Sequence, residues 1–318
     1  NDQVWINWFP DERDLNAIVN TKKKRLPPIC VELITYLDTF VGKKTYHELM
    51  NHACSKFFDL ENEAESEMDW AQSSIETALR LYPAQFFPLT DQTESDILKR
   101  VWIFIDKAFD NIPIDIRSGE MASNASSLRR NLGRAINNRK AQGHKTDLLM
   151  KSEHYEYGCC VAGKADHGDE GTKEKYEAGL IAPKMMEDMT WSLASNFADI
   201  NKLVIAGLII SGLKIFALLL DRPSTYVCRL TKTEPMFFPA SVNDFAVQMG
   251  SLIHFVWQIK QVMLATVNAQ KPKTIQGAST VNSLLGVRPL PACATSPKLR
   301  PTKRQRANST AASSFSSS

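Results

Sequence analysis

Acidic residues are absent from positions 271–318, which carry eight Lys/Arg. The rest of the 318-residue chain holds 30 basic and 35 acidic groups, a net of −5 beneath the overall +3. The positive charge is therefore concentrated in the tail. There is no Cys-x2-Cys pair, and the six cysteines (Cys30, Cys54, Cys159, Cys160, Cys228, Cys293) follow no framework spacing. That argues against a zinc ribbon or a disulfide scaffold and for free thiols in a reducing compartment. No Gly-x-Ser-x-Gly elbow of a serine hydrolase is present. The opening Asn1-Asp-Gln-Val-Trp has neither the basic nor the apolar region of a secretory signal. A first residue other than Met points to missing upstream sequence. Long apolar runs are also scarce. The one candidate, Leu203–Leu220, has 18 residues with Lys214 as its single charge, near the lower limit for a membrane span. A lysine in mid-span is costly and Ser211-Gly212 divides the run into two strand-length halves, so a buried hairpin is expected and a membrane association is not.

At 43% hydrophobic and 23% charged residues, the chain can bury a substantial core. Residues 1–115 read as a helical region. Thr93-Glu-Ser-Asp96 has the form of a capping box, and Ile97, Val101, Ile105 and Ala108 then repeat at helical spacing, widened by Leu98, Trp102 and Phe109. His47 and His52 are five apart, which does not suit one helical face. Residues 116–269 read as an α/β core, and 270–318, rich in Pro, Ser, Thr and basic residues, as a disordered tail. The expected class is α+β or α/β: helices first, then a mixed sheet.

Within the core, a helix over Glu120–Lys140 is expected from Met121, Ala125, Leu128, Leu132, Ala135 and Ile136. Its other side carries Ser123, Ser127, Arg130, Arg134 and Asn137, with Glu120 near the edge. The span 117–145 has seven Lys/Arg and one acid; such a face can contact phosphates or simply be solvated. Strands are expected at about 145–151 and 154–162, then a loop at 166–171. A helix opened by Pro183 follows, burying Met186, Met189, Leu193 and Phe197. The 203–220 hairpin comes next, then a strand at about 225–232. The last helix starts near Ser241-Val-Asn-Asp244, with a seam of Phe245, Met249, Leu252, Val256, Ile259 and Met263.

Two stretches imitate known sites. Gly158-Cys-Cys-Val-Ala-Gly-Lys164 matches the start of a phosphate-binding loop, but Ala165 replaces the hydroxyl residue that would hold a metal, and acids follow it. Cys159 and Cys160 with His154 and His167 lack zinc-ligand spacing, because adjacent strand residues face opposite ways.

The element order from 120 to 232, with acids Asp147 and Glu156 on neighbouring strands, resembles the core of PD-(D/E)XK nucleases, whose fold is that of restriction endonucleases. The resemblance implies a Mg²⁺-dependent phosphodiesterase site, since Mg²⁺ takes oxygen ligands. Asp147 and Glu156 would be its metal ligands, Lys164 its lysine and Glu120 the helix carboxylate. The Glu-x-Lys spacing departs from that pattern, since Gly158 stands where the lysine belongs. Arg129-Arg130-Asn131, Glu156-Tyr-Gly158, Gly163-Lys164, Ile210-Ser-Gly-Leu213 and Tyr226-Val-Cys-Arg229 also resemble uncharacterised families of early-diverging filamentous fungi. Those families have an acid where this chain has Val161, which implies a catalytically dead copy. On this reading Arg129, Arg130 and Arg134 touch nucleic acid. Lys303, Arg304 and Arg306, in the cluster Lys298–Arg306, join them or direct nuclear import, with nucleus or cytoplasm as the location. The alternative is a non-enzymatic protein-interaction module that uses the final helix and the basic tail.

Overall fold

The computed structural model describes residues 12–270, apart from 22, 29, 136, 165–171, 225 and 226. The basic cluster with Lys303, Arg304 and Arg306, the loop containing His167, and Ile136 lie outside the described residues.

Six helices come first: α1 (Glu12–Asn20), α2 (Val31–Asp38), α3 (Tyr46–Ala53), α4 (Glu63–Leu79), α5 (Glu94–Arg100) and α6 (Ile103–Lys107). Thr93 and Asp96 form the capping box that starts α5, each side chain satisfying the other's backbone N–H. The expected apolar stripe is buried at Ile97, Val101, Ile105 and Ala108. It spans two helices, broken at Trp102, whose indole N–H reaches the Gly212 carbonyl at 2.9 Å.

The sheet comprises β1 (Asp115–Ala122), β2 (Lys145–Ser152), β3 (Tyr155–Gly163), β4 (Val204–Ser211), β5 (Lys214–Ser224), β6 (Val227–Lys232) and β7 (Met236–Phe237). Strands β1 to β6 lie in sequence order, and β7 pairs with β5. Strands β3 and β4 are parallel, and the other pairs are antiparallel. The central strands are buried almost end to end, as expected where helices cover both faces. The long apolar run is the β4–β5 hairpin, with Ser211 opposite Lys214. No helix among the described residues is long and apolar enough to cross a membrane.

One face of the sheet is covered by α9 (Ala182–Leu193), which buries Met185, Met186, Met189 and Leu193 against Leu149, Cys159, Val161, Ile209 and Phe216. The short helix α8 (Thr172–Tyr176) and a π-helical turn lead into it. On the other face the final helix α10 (Phe245–Asn268) packs its whole seam, from Phe245 to Met263, in one cluster with the N-terminal helices and the sheet. That seam is core, not an open partner surface.

The expected helix over Glu120–Lys140 is corrected. Residues 115–122 are strand β1, and the helix α7 covers only Asn124–Asn131. Gly119 and Glu120 take positive φ (98° and 52°) where the β1–β2 register shifts, a bulge that bends the edge strand. Ser123 then caps α7. Of the proposed stripe, Ala125 is buried while Leu128 and Leu132 are exposed.

Candidate functional site

Strands β2 and β3 carry the two acids that the nuclease resemblance singles out, and each is held differently. The β2–β3 register shifts so that Met150 pairs with Gly158 and Lys151 with Glu156, leaving Tyr157 as an extra residue. The bulge breaks simple alternation. Tyr157 packs in the cluster under α9, and Glu156 reaches α7 beside it. The Glu156 carboxylate accepts the Ser123 hydroxyl (2.6 Å), the Asn124 N–H (2.6 Å) and the Ala125 N–H (3.3 Å). The same Ser123 oxygen accepts the Ser126 N–H. Both Glu156 oxygens thus serve the first turn of α7, where unsatisfied N–H groups and the helix dipole favour an anion. Glu156 is 4% exposed. It does not fit the role of a ligand shared with Asp147.

Asp147 lies at the start of β2. Its Oδ2 accepts the Ala162 N–H at 2.8 Å. Because Leu148 pairs with Cys160, the residue across from Asp147 is Val161, buried in the apolar cluster under α9. A second carboxylate would be needed at that position for the strand pair to clamp a divalent ion. Among the described residues no group of three or more His, Cys, Asp or Glu could hold a metal.

Alternation and register carry further polar residues to the same end and face of the sheet. Gly163 pairs with Ser211, and Ser211 with Lys214. From α8, Glu174 accepts the Ser211 hydroxyl at 2.8 Å and pairs with Lys214 at 2.9 Å. The Lys214 and Glu174 side chains are 11% and 17% exposed. Lys232 lies over the Phe216 ring, 4.0 Å from its centroid, and Lys164, one residue past β3, is exposed. Sequence reasoning missed Glu174. The signal available was Lys214, the lone charge in an apolar run, which needs a partner once buried.

Glu120 is on the β1 bulge rather than on a helix, exposed, and paired with Lys145 at 2.7 Å, which lowers its pKa. Arg129 faces inward and pairs with Asp188 at 2.9 Å and Glu187 at 3.6 Å, fastening α7 to α9. Burial pushes the Asp188 carboxyl up to about 6, against the opposing pull of Arg129 and Ser126. Arg130 and Arg134 are exposed. Each donates through Nη1 to a carbonyl of the loop that follows, Gln142 (2.7 Å) and Arg139 (2.8 Å). Asn131 closes the same loop by exchanging hydrogen bonds with the Ala141 backbone. Gly143 is required there, since a Cβ would sit 1.9 Å from the Ser123 carbonyl oxygen. With Arg139 and Lys140 also exposed, the segment presents a basic rim that leads directly into the strand bearing Asp147.

The phosphate-loop imitation is strand β3, whose backbone groups are committed to its neighbours. Cys159 and Cys160 are fully buried, and burial pushes the Cys159 thiol up to about 12. No family model, curated protein or solved structure matches this chain.

Proposed function

We propose that this chain is a nucleic-acid-associated protein that holds the phosphate backbone without cutting it, on a core that resembles a PD-(D/E)XK nuclease stripped of its metal site. The reading is supported by the β2–β3 register, which, continued one residue beyond Leu148–Cys160, sets Val161 across from Asp147, and by the exposed Arg130, Arg134, Arg139 and Lys140 in the segment that leads into the same strand. One carboxylate facing a buried valine leaves Mg²⁺ without a second strand ligand, and Glu156 is spent on α7. Arg130 and Arg134 each use one guanidinium nitrogen to grip a local carbonyl. That fixes the fork and leaves its other donors for phosphate, so less side-chain entropy is lost on binding. A nuclear or cytoplasmic location suits such a ligand, and the cysteines among the described residues form no disulfide. The α10 seam is internal, which leaves the protein-interaction alternative the exposed side of that helix, with Val247, and the tail.

The test incubates purified full-length protein with labelled duplex and single-stranded DNA and RNA, with Mg²⁺, Mn²⁺ or a chelator. Retarded but intact nucleic acid in all three conditions is expected. Metal-dependent cutting that Asp147→Ala abolishes would show a working nuclease, and no retardation of any substrate would remove the binding reading.

A further inference from the structure

A second site lies at the opposite end and on the opposite face of the sheet from Asp147. It is an open cavity of about 490 Å³, within the roughly 300–1,000 Å³ typical of small-molecule sites. Its floor is apolar: Val204 at the start of β4, Leu219 of β5, and Val262 and Ala265 of α10. Among the described residues, Lys24, Arg25 and Lys202 line it as well, and no Asp or Glu does.

The cavity is built by the fold. The segment that supplies Lys24 and Arg25 is tied down on both sides. Before it, the Arg229 guanidinium donates to the carbonyls of Ile18, Val19 and Thr21 at the end of α1. After it, the Gln258 amide donates to the Pro27 carbonyl at 2.6 Å. Lys202 arrives from the turn before β4, and Thr266 closes the base by donating to the Val204 carbonyl at 2.9 Å. Cations on the wall of a cavity with no lining carboxylate among the described residues favour a bound anion. The floor in turn favours hydrocarbon.

We infer that this cavity binds a single-chain anionic amphiphile, with a carboxylate or phosphate monoester head at Lys24, Arg25 and Lys202 and an alkyl chain along Val204, Leu219 and Val262. Hydrocarbon burial then sets a ladder of affinity, with dissociation constants falling about fourfold per added methylene until the cavity is full.

Isothermal titration of the full chain with octanoate, decanoate, dodecanoate, dodecyl phosphate, dodecanol and inorganic phosphate tests this below each micelle-forming concentration. Dodecanoate and dodecyl phosphate separate the two head-group sources. Expected are saturable binding at one site, the chain-length ladder, and dodecanol and inorganic phosphate at least tenfold weaker. Lys202→Glu should weaken dodecanoate at least tenfold. Ala265→Trp, at an exposed helix position, should block the chain while leaving the melting temperature of the free protein unchanged. Equal binding of dodecanol, inorganic phosphate as good as dodecyl phosphate, binding untouched by both variants, or no binding of any probe would each overturn the inference.

Discussion

Replacing Glu156 distinguishes a helix cap from a metal ligand. In Glu156→Ala the Ser123 hydroxyl and the Asn124 and Ala125 N–H groups all lose their acceptor. Ser123 is 0% exposed and Ala125 3%, so water cannot replace that acceptor without a local rearrangement. Each buried donor left unsatisfied costs about 1–3 kcal/mol; the Ser123 and Ala125 donors are buried, whereas exposed Asn124 can turn its N–H to water at less cost. A total of about 3–5 kcal/mol is expected, out of the 5–15 kcal/mol typical of a whole domain. Glu156→Gln keeps one acceptor oxygen but turns an amide NH₂ toward donors, so it should cost about 2 kcal/mol, nearer the loss of one charge-assisted bond. Urea unfolding followed by circular dichroism reads both, with a shifted midpoint and an unchanged slope. A metal-ligand carboxylate repelled by Asp147 would behave in the opposite way, its removal leaving stability unchanged or raised. An unshifted midpoint for Glu156→Ala would refute the capping argument.

Three other outcomes follow from the same geometry. Val161→Glu places a carboxylate across from Asp147; it should lower stability by about 2–4 kcal/mol through a buried charge and make the melting temperature rise with Mn²⁺, a dependence absent from the parent. A Val161→Glu protein indifferent to Mn²⁺ would contradict the pairing. The Asp188 pKa is raised in the folded protein to about 6 from 3.8, so its proton favours the folded form. Its contribution is full below about pH 4, is lost as pH rises through about 6, and stays lost above. Asp188→Asn should therefore flatten that part of the pH dependence, read as urea midpoints at pH 4.5 and 7, and an unchanged difference between the two would count against it. Lys214→Met or Glu174→Gln alone should each cost about 3–5 kcal/mol by breaking a mostly buried ion pair, while Lys214→Met with Glu174→Leu should recover most of the loss; additive losses would show that the two side chains act separately.

Strands β2 and β3, the β4–β5 hairpin and the α10 seam were legible in the sequence because burial imposes a period on apolar residues. Strand β1 was not. It is an edge strand whose residues are mostly exposed, so Asp115–Ala122 carries charges and a glycine with no apolar alternation to read. Met121, Leu128 and Leu132 then mimicked a helical stripe although all three are exposed. The acids at Asp147 and Glu156 were visible as residue types. Their roles were not, because the bulge at Tyr157 re-aims Glu156 toward a helix start 33 residues earlier, a tertiary contact with no local signature. Glu174 stayed hidden for the same reason, whereas Lys214 announced an unnamed partner by its isolation.

The salt dependence of nucleic-acid binding tests the proposed function most directly. Each phosphate neutralised on duplex DNA contributes about −0.9 to the slope of log affinity against log salt. Fluorescence anisotropy with a short labelled duplex from 50 to 300 mM salt should show log-linear weakening. Arg130→Ala with Arg134→Ala should make the slope shallower by about 1.8, with the fold intact. A slope identical in parent and double variant, or an affinity insensitive to salt, would contradict the account.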